Sequence, residues 1–198
     1  MKPSGAIIAG GASRRMGGGE KALALFRGKP LVQNVIDRVS GQVGRLSINV
    51  REGSLGRYDS YRDAGIVILA DSFGSGAGPL GGVVTALDWM AAARDSDWLA
   101  TFPADTPLLP ADMVAVMMKQ RQGETPVVAV AGGRIQSLCA LWPLSCRGAL
   151  RRGLEAESFR SVWWTLKELG ARECQFPDEA AFLNINTPED LAGAEKPA

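Results

Sequence analysis

Five glycines, two arginines and a lysine fall within the twelve residues Gly10 to Lys21, directly behind the apolar run Ala6-Ile7-Ile8-Ala9. Glycine lets backbone N–H groups approach an anion closely, and it takes left-handed conformations at little cost. Arginine adds a planar two-pronged donor, and lysine adds a compact charge. The chemistry this suits is the binding of a polyphosphate. A tight surface turn with solvated charges would use similar residues, but this density of glycine and cation behind a buried strand favours the phosphate. A second candidate is Asp105 in Pro103-Ala104-Asp105-Thr106-Pro107. A carboxylate held between prolines after an apolar run can hold Mg²⁺, which commonly takes one or two carboxylates and completes its shell with phosphates and water. The same residues also suit an Asx-type turn or a helix cap. Asp71 could meet the ribose or base of a nucleotide or cap the next segment. Asn49 offers both a donor and an acceptor to a base edge, and a turn role fits it equally.

Known phosphate motifs narrow the reading. A Walker A loop needs Gly-Lys followed by Ser or Thr, whereas Lys21 lies between Glu20 and Ala22. Gly17 to Ala22 does spell G-x-G-x-x-A, but it begins about eight residues past the apolar run, not at the strand-to-helix turn of a dinucleotide fold. The 198-residue chain has no histidine, which excludes histidine triads, bases and metal ligands within it. A net charge of +1 gives no general attraction to nucleic acid or to an acidic membrane. Three cysteines without a C-x-x-C pair read as buried or inert thiols in a reducing compartment. With no signal-peptide pattern and no membrane-length apolar run, a cytoplasmic protein is expected.

The elements that must carry these residues follow from periodicity. Apolar runs at 6–9, 46–50, 66–70 and 98–102 predict buried parallel strands. Leu23 to Leu25 suggests a further short strand. Helical spacing follows at 31–43, after Pro79, and at 111–120. Four strand-then-helix units in a row predict an α/β fold: three layers, a mostly parallel sheet and helices on both faces. Strands at 126–131 and 137–142 around Gly132-Gly133 predict a β-hairpin in the second half. Helices are expected at 147–154 and 159–169, with Trp163-Trp164 packed into the interior. Phe182 to Asn186 reads as a last strand. Thr187-Pro188-Glu189-Asp190 opens a final helix. One domain of ordinary size is expected over 1–198, with a nucleotide-binding half at 1–110 and an acceptor half at 111–198. In such sheets ligands collect beyond the C-terminal strand ends. The Gly-rich loop, Asn49, Asp71, the segment Gly78-Pro79-Leu80-Gly81 and Asp105 all map to that edge.

These motifs resemble a known family. Ile8-Ala9-Gly10-Gly11, Arg14-Arg15-Met16-Gly17 and Glu20-Lys21 resemble the nucleotidyltransferase signature LAGG-x-x-x-RMG-x-x-K. Gly28-Lys29-Pro30-Leu31, Gly78-Pro79-Leu80-Gly81-Gly82, Asp105-Thr106-Pro107 and Asn184 to Leu191 resemble the GKPL, GPL-x-G, DTP and N-x-NTPEDL segments of molybdenum cofactor guanylyltransferases. The resemblance runs in order from Ala6 to Leu191. It departs at Glu20, where Asp is usual, at Ala104, where Cys is common, and at Gln136-Ser137, where Gln-Pro is usual. It implies a Rossmann-like nucleotidyltransferase fold and Mg²⁺-dependent transfer of GMP from GTP to molybdenum-molybdopterin, with release of pyrophosphate. By the same resemblance, Arg15, Lys21 and Asp105 are catalytic and Asp105 holds the metal. Ile8, Ala9, Gly10, Gly11, Lys21, Asn49, Asp71, Pro79, Leu80 and Asp105 bind the nucleotide, and Asn184 and Asn186 face the acceptor. Proteins that deliver molybdopterin and proteins on the molybdoenzyme side are implied partners; nucleic acid and membrane are not. A cytidylyltransferase or sugar-phosphate nucleotidyltransferase of the same fold, or a non-catalytic nucleotide-binding regulator, would share most of these features.

Overall fold

The computed structural model describes residues 2–10, 20–73, 75–156 and 161–194. Its first strand, β1 (Ser4–Ile8), is buried along its whole length, as an apolar run between two neighbours must be. A small hairpin, β2 (Leu25–Phe26) with β3 (Lys29–Pro30), then leads into α1 (Leu31–Val39). Asn34 of α1 donates to the carbonyls of Phe26, Lys29 and Pro30 and closes that turn. The strand expected at 23–25 is thus a 3₁₀ turn at Lys21–Leu23 followed by this separate hairpin, outside the main sheet.

The chain continues through β4 (Leu46–Val50), α2 (Asp59–Asp63), β5 (Val67–Ala70), α3 (Gly78–Ala93), β6 (Trp98–Pro103) and α4 (Met113–Lys119). The second half adds β7 (Val127–Ala131), β8 (Arg134–Pro143), α5 (Cys146–Glu155), α6 (Val162–Glu168), β9 (Arg172–Phe176) and α7 (Pro188–Ala194). Among the described residues the main sheet has seven strands in the order β5-β4-β1-β6-β8-β7-β9. β8 alone runs antiparallel to its neighbours. Its register with β7 breaks: Val128 faces Ala140, whereas Ala129 faces Gln136.

Side chains alternate across the strands and fill two cores. On one face Ile7, Ile48, Phe102 and Ala129 pack against α1, α2 and α4. On the other Ile8, Leu99, Val128 and Trp142 pack against α3, α5 and α6. This gives the three layers expected of the fold class. The indole N–H of fully buried Trp142 finds the Thr101 hydroxyl at 3.0 Å, as a buried indole requires. Cys139, Cys146 and Cys174 are buried free thiols.

Two further expectations fail, and one strand is unforeseen. The strand expected over Phe182 to Asn186 does not form; a 3₁₀ turn at Ala180–Phe182 leads into an extended segment, where Ile185 N–H bonds the Asp105 carbonyl. The edge strand is instead β9, where Cys174 and Phe176 face inward while Glu173 and Gln175 face out. Its charged half hid it from an apolar-run search. The Trp pair does not pack inward either: α6 buries Val162, Thr165 and Leu166, and Trp163 is 45% exposed and Trp164 37%.

Candidate active site at the sheet switch point

The chain steps outward from β1 to β4 and β5, then returns to β6 on the other side of β1. The strand order therefore reverses between β1 and β6, where open α/β sheets form their ligand crevice. Ala9 N–H bonds the Asn49 carbonyl, Asp71 N–H the Val50 carbonyl and Ala104 N–H the Ile8 carbonyl. These bonds hold the ends of β1, β4, β5 and β6 at one level.

A cavity of about 250 Å³ lies at this point, lined by Ile8, Ala9, Lys21, Pro79, Asp105 and Asn186 among others. The Lys21 ammonium forms an ion pair with the Asp105 carboxylate and donates to Asn186 Oδ1 at 2.6 Å. Both charged side chains are mostly withdrawn from water, 20% and 26% exposed, so their interaction is weakly screened. A second cavity of about 270 Å³ adjoins the first and shares Pro103, Asp105, Leu138 and Asn186 with it; Gln136, Ser137 and Asn184 line its far side. The buried Thr106 hydroxyl donates to Asn184 Oδ1 at 2.6 Å. The charged pair thus sits where two cavities meet.

Asn186 owes its place to the helix that follows. Thr187 Oγ1 accepts from Asp190 N–H at 3.1 Å, and Asp190 Oδ2 accepts from the N–H groups of Asn186 and Thr187. This reciprocal cap satisfies three donors at the start of α7. Those backbone donors, that of Asn186 first, hold the Asp190 carboxyl below its ordinary value.

Asn49 and Asp71 sit apart from the cavity, under the first turn of α3. Asn49 is fully buried, and among the described residues neither its amide oxygen nor its nitrogen has a hydrogen-bond partner. A Cβ at Gly82 would overlap Asn49 Oδ1, and one at Gly81 would lie 2.9 Å from Asp71 Oδ1. These two glycines let the helix descend onto the two polar groups. Gly10 lies over both, its Cβ position 3.7 Å from Asn49 Oδ1 and 3.9 Å from Asp71 Oδ2. Burial raises the Asp71 carboxyl above its ordinary value, against one hydrogen bond from Phe73 N–H. Pro79 lines the cavity, whereas the Leu80 side chain is buried in the core and leaves only its backbone for a ligand. Gly11 and Arg15 lie outside the described residues.

Periodicity missed one network. The Glu20 carboxylate, 7% exposed, accepts from Arg51 at 2.9 Å, from the Ser54 hydroxyl and from the Tyr58 hydroxyl at 3.3 Å. Burial alone would raise this carboxyl. The bonds from Ser54 and Arg51, the Arg51 charge and the Tyr58 bond outweigh it and hold the group below its ordinary value. Burial, with the Glu20 charge, pushes the Tyr58 phenol well up. Glu20 precedes Lys21 directly, so the network fixes the chain at the lysine.

A switch-point crevice with a lysine and an aspartate between two cavities, in this mostly parallel α/β fold, is the setting of a nucleotidyltransferase, the class that the family match shows. Residues 5–169 match the MobA-like NTP transferase domain family. The molybdenum cofactor guanylyltransferase of Cereibacter sphaeroides is 40% identical over 195 residues, covering 98% of this chain and 96% of that protein. That of Acidiphilium cryptum is 40% identical over 190 residues, covering 96% and 92%. Among solved structures, molybdopterin-guanine dinucleotide biosynthesis protein A of Archaeoglobus fulgidus shares the fold, with a TM-score of 0.74 over 97% of this chain and 96% of that one, at 22% identity. The chain belongs to the molybdenum cofactor guanylyltransferase family. Among the described residues no helix is long and apolar enough to cross a membrane.

Proposed function

We propose that the chain transfers GMP from GTP to the terminal phosphate of molybdenum-molybdopterin, forming the guanine dinucleotide and releasing pyrophosphate. The observation that carries this reading is the Lys21–Asp105–Asn186 junction between two adjoining cavities. A two-substrate transfer needs its charge-neutralising groups at that boundary. An oxygen of the acceptor phosphate attacks the α-phosphorus, the bond to the β-phosphate oxygen breaks, and pyrophosphate leaves. The nucleophile is already anionic, so a chain without histidine loses nothing. Positioning and charge neutralisation do most of the work of such transfers.

The roles below follow family resemblance joined to this geometry. Lys21 exchanges its carboxylate partner for phosphate oxygens when GTP arrives, and Arg15 joins it. The backbone N–H groups of Gly10 and Gly11 face the phosphates. Ile8, Ala9, Pro79 and the Leu80 backbone border the nucleoside. Asn49 and Asp71, packed beneath Gly10, shape the guanosine pocket; among the described residues the buried amide of Asn49 is unpaired, otherwise a costly feature to keep. Asn184 and Asn186 face the acceptor.

No group of three or more His, Cys, Asp or Glu is placed to hold a metal among the described residues. One carboxylate beside neutral amides fits Mg²⁺, whose other ligands are phosphates and water. The Lys21 ammonium on Asp105 also marks this as a place for a cation. Asp105 would hold the Mg²⁺, which when bound neutralises phosphate charge. We further place the protein in the cytoplasm, as one domain with a nucleotide half at 1–110 and an acceptor half at 111–198. Proteins that deliver molybdopterin, or that receive the product, would be its partners.

The test is pyrophosphate release from GTP, CTP, ATP and UTP with molybdopterin and Mg²⁺ supplied. Release from GTP alone is expected. Release from CTP in preference would move the chain to the cytidylyl reading, and release from none would favour a non-catalytic regulator.

A further inference from the structure

The acceptor cavity does not end at Gln136. Ile135, next in β8, lines both that cavity and a third one of about 260 Å³ beneath α6. This third cavity has an apolar floor that includes Val128, Ile135 and Leu166. The Trp163 indole lines it, with the Lys167 ammonium 5.5 Å from the ring centroid. Glu173 of the edge strand β9 lines it too. Along β8 the two cavities meet at Ile135. The break in β8–β7 register falls at this place, turning Gln136 to Leu138 out of the regular ladder and toward Asp105.

Two of these features point to a ligand. Trp163 keeps 45% of its surface in water, although its helix offers buried positions on either side of it, at Val162 and Leu166. Exposed Glu173 stands over an apolar floor, and among the described residues it takes one long 3.5 Å contact from Gln175 Nε2. Most of the accepting capacity of that carboxylate remains. An aromatic wall, an apolar floor and a carboxylate at one edge select a flat heterocycle that carries adjacent N–H and NH₂ donors. A cavity of ~150 Å³ admits a single benzene ring, so this one admits two fused rings.

We propose that the cleft beneath Trp163 holds the pterin ring of the acceptor, with Glu173 accepting from its cyclic amide N–H and adjacent amino group. This rests on the acceptor reading above. It extends that reading from the reacting phosphate, at Asp105 and Asn186, to the far end of the same molecule. The acceptor would lie along β8, its phosphate at the junction and its rings under α6.

Steady-state transfer with molybdopterin separates the two claims. Trp163→Ala and Glu173→Gln are each expected to raise the KM for molybdopterin at least ~10-fold, the scale of a lost ring contact or charged hydrogen bond. The KM for GTP should stay within about 2-fold, as for residues remote from the nucleotide. Trp164→Ala, whose residue does not line the cleft, should leave the molybdopterin KM unchanged. If both cleft variants keep the wild-type molybdopterin KM, the cleft proposal is wrong while the guanylyl reading stands. If wild-type protein shows no transfer, the guanylyl reading falls and free pterin decides the cleft. Quenching of pterin fluorescence by wild-type protein that is lost in Glu173→Gln supports the site. Equal quenching by both, or none by either, overturns it.

Discussion

The Lys21 ammonium rests on the Asp105 carboxylate although 84 residues separate them, and the contact joins the start of the first 3₁₀ turn to the end of β6. A nucleotide and its metal bound here would compete for both partners. Phosphates compete for the lysine, and a divalent cation competes for the aspartate. Asp105→Asn should therefore abolish transfer, with the melting temperature close to wild type. Lys21→Ala should lower kcat at least ~100-fold, the scale of removing one oriented electrostatic donor. Near-wild-type turnover of Asp105→Asn at saturating Mg²⁺ would refute its metal role.

Gly82 and Asn49 make a second pair. A Cβ at Gly82 must displace the Asn49 amide, which is buried and unpaired among the described residues. Gly82→Ala should cost about 1–3 kcal/mol, the usual range for overpacking. Adding Asn49→Ala removes the obstacle and an unpaired buried amide together, so the double variant should regain most of the lost stability. GTP affinity should not return with it. Chemical denaturation and calorimetric GTP titration of the two single variants and the double variant read both effects. Additive losses of stability would show that the two residues do not compete for space.

Thr187 links helix capping to the site. Its hydroxyl caps α7, and Asp190 returns bonds to Thr187 and to Asn186, whose amide accepts from Lys21. Thr187→Ala should cost about 1 kcal/mol, as lost N-caps do. It should also raise the molybdopterin KM, because Asn186 loses its anchor. Thr187→Ser keeps the cap and should restore both. An unchanged molybdopterin KM in Thr187→Ala would place Asn186 outside acceptor binding.

Local rules in the chain carried much of this. β1, β4 and β6 are apolar runs because parallel strands inside a sheet are buried on both faces; β5, at the sheet edge, is an apolar run only half-buried. The cap at Thr187 is a three-residue motif. β9 escaped because an edge strand needs only one apolar face, and Arg172, Glu173 and Gln175 mask the alternation. The segment at 183–186 misled because Leu183 and Ile185 alternate with asparagines as a strand would, yet those asparagines serve Thr106 and Lys21. Leu80 reads as part of a binding motif, but its side chain is core. Gly81 and Gly82 stand in the first turns of α3, and their lack of a side chain is needed because Asn49 and Asp71 lie beneath. None of these could be read locally, since the partners lie tens of residues away.

Glu20 is the same lesson with a pH dependence. Its partners Arg51, Ser54 and Tyr58 lie 31 to 38 residues on, and together they hold its carboxyl below the ordinary value of 4.5. A carboxyl depressed in the folded state adds stability that is fully present above the unfolded value and is lost as pH falls through the folded one. Wild type should therefore exceed Glu20→Gln by about 1–3 kcal/mol at neutral pH, the range for hydrogen bonds to a charged group. The gap should persist down to about 4.5 and close progressively below it. Urea unfolding of both proteins across that range measures it. A gap that is constant through the acid range would mean that the glutamate's charge does nothing for the fold. Glu20→Asp offers a separate check: its shorter side chain keeps the charge but draws it back from Ser54 and Tyr58. It should recover part of the neutral-pH gap, and whatever it recovers should also vanish in acid.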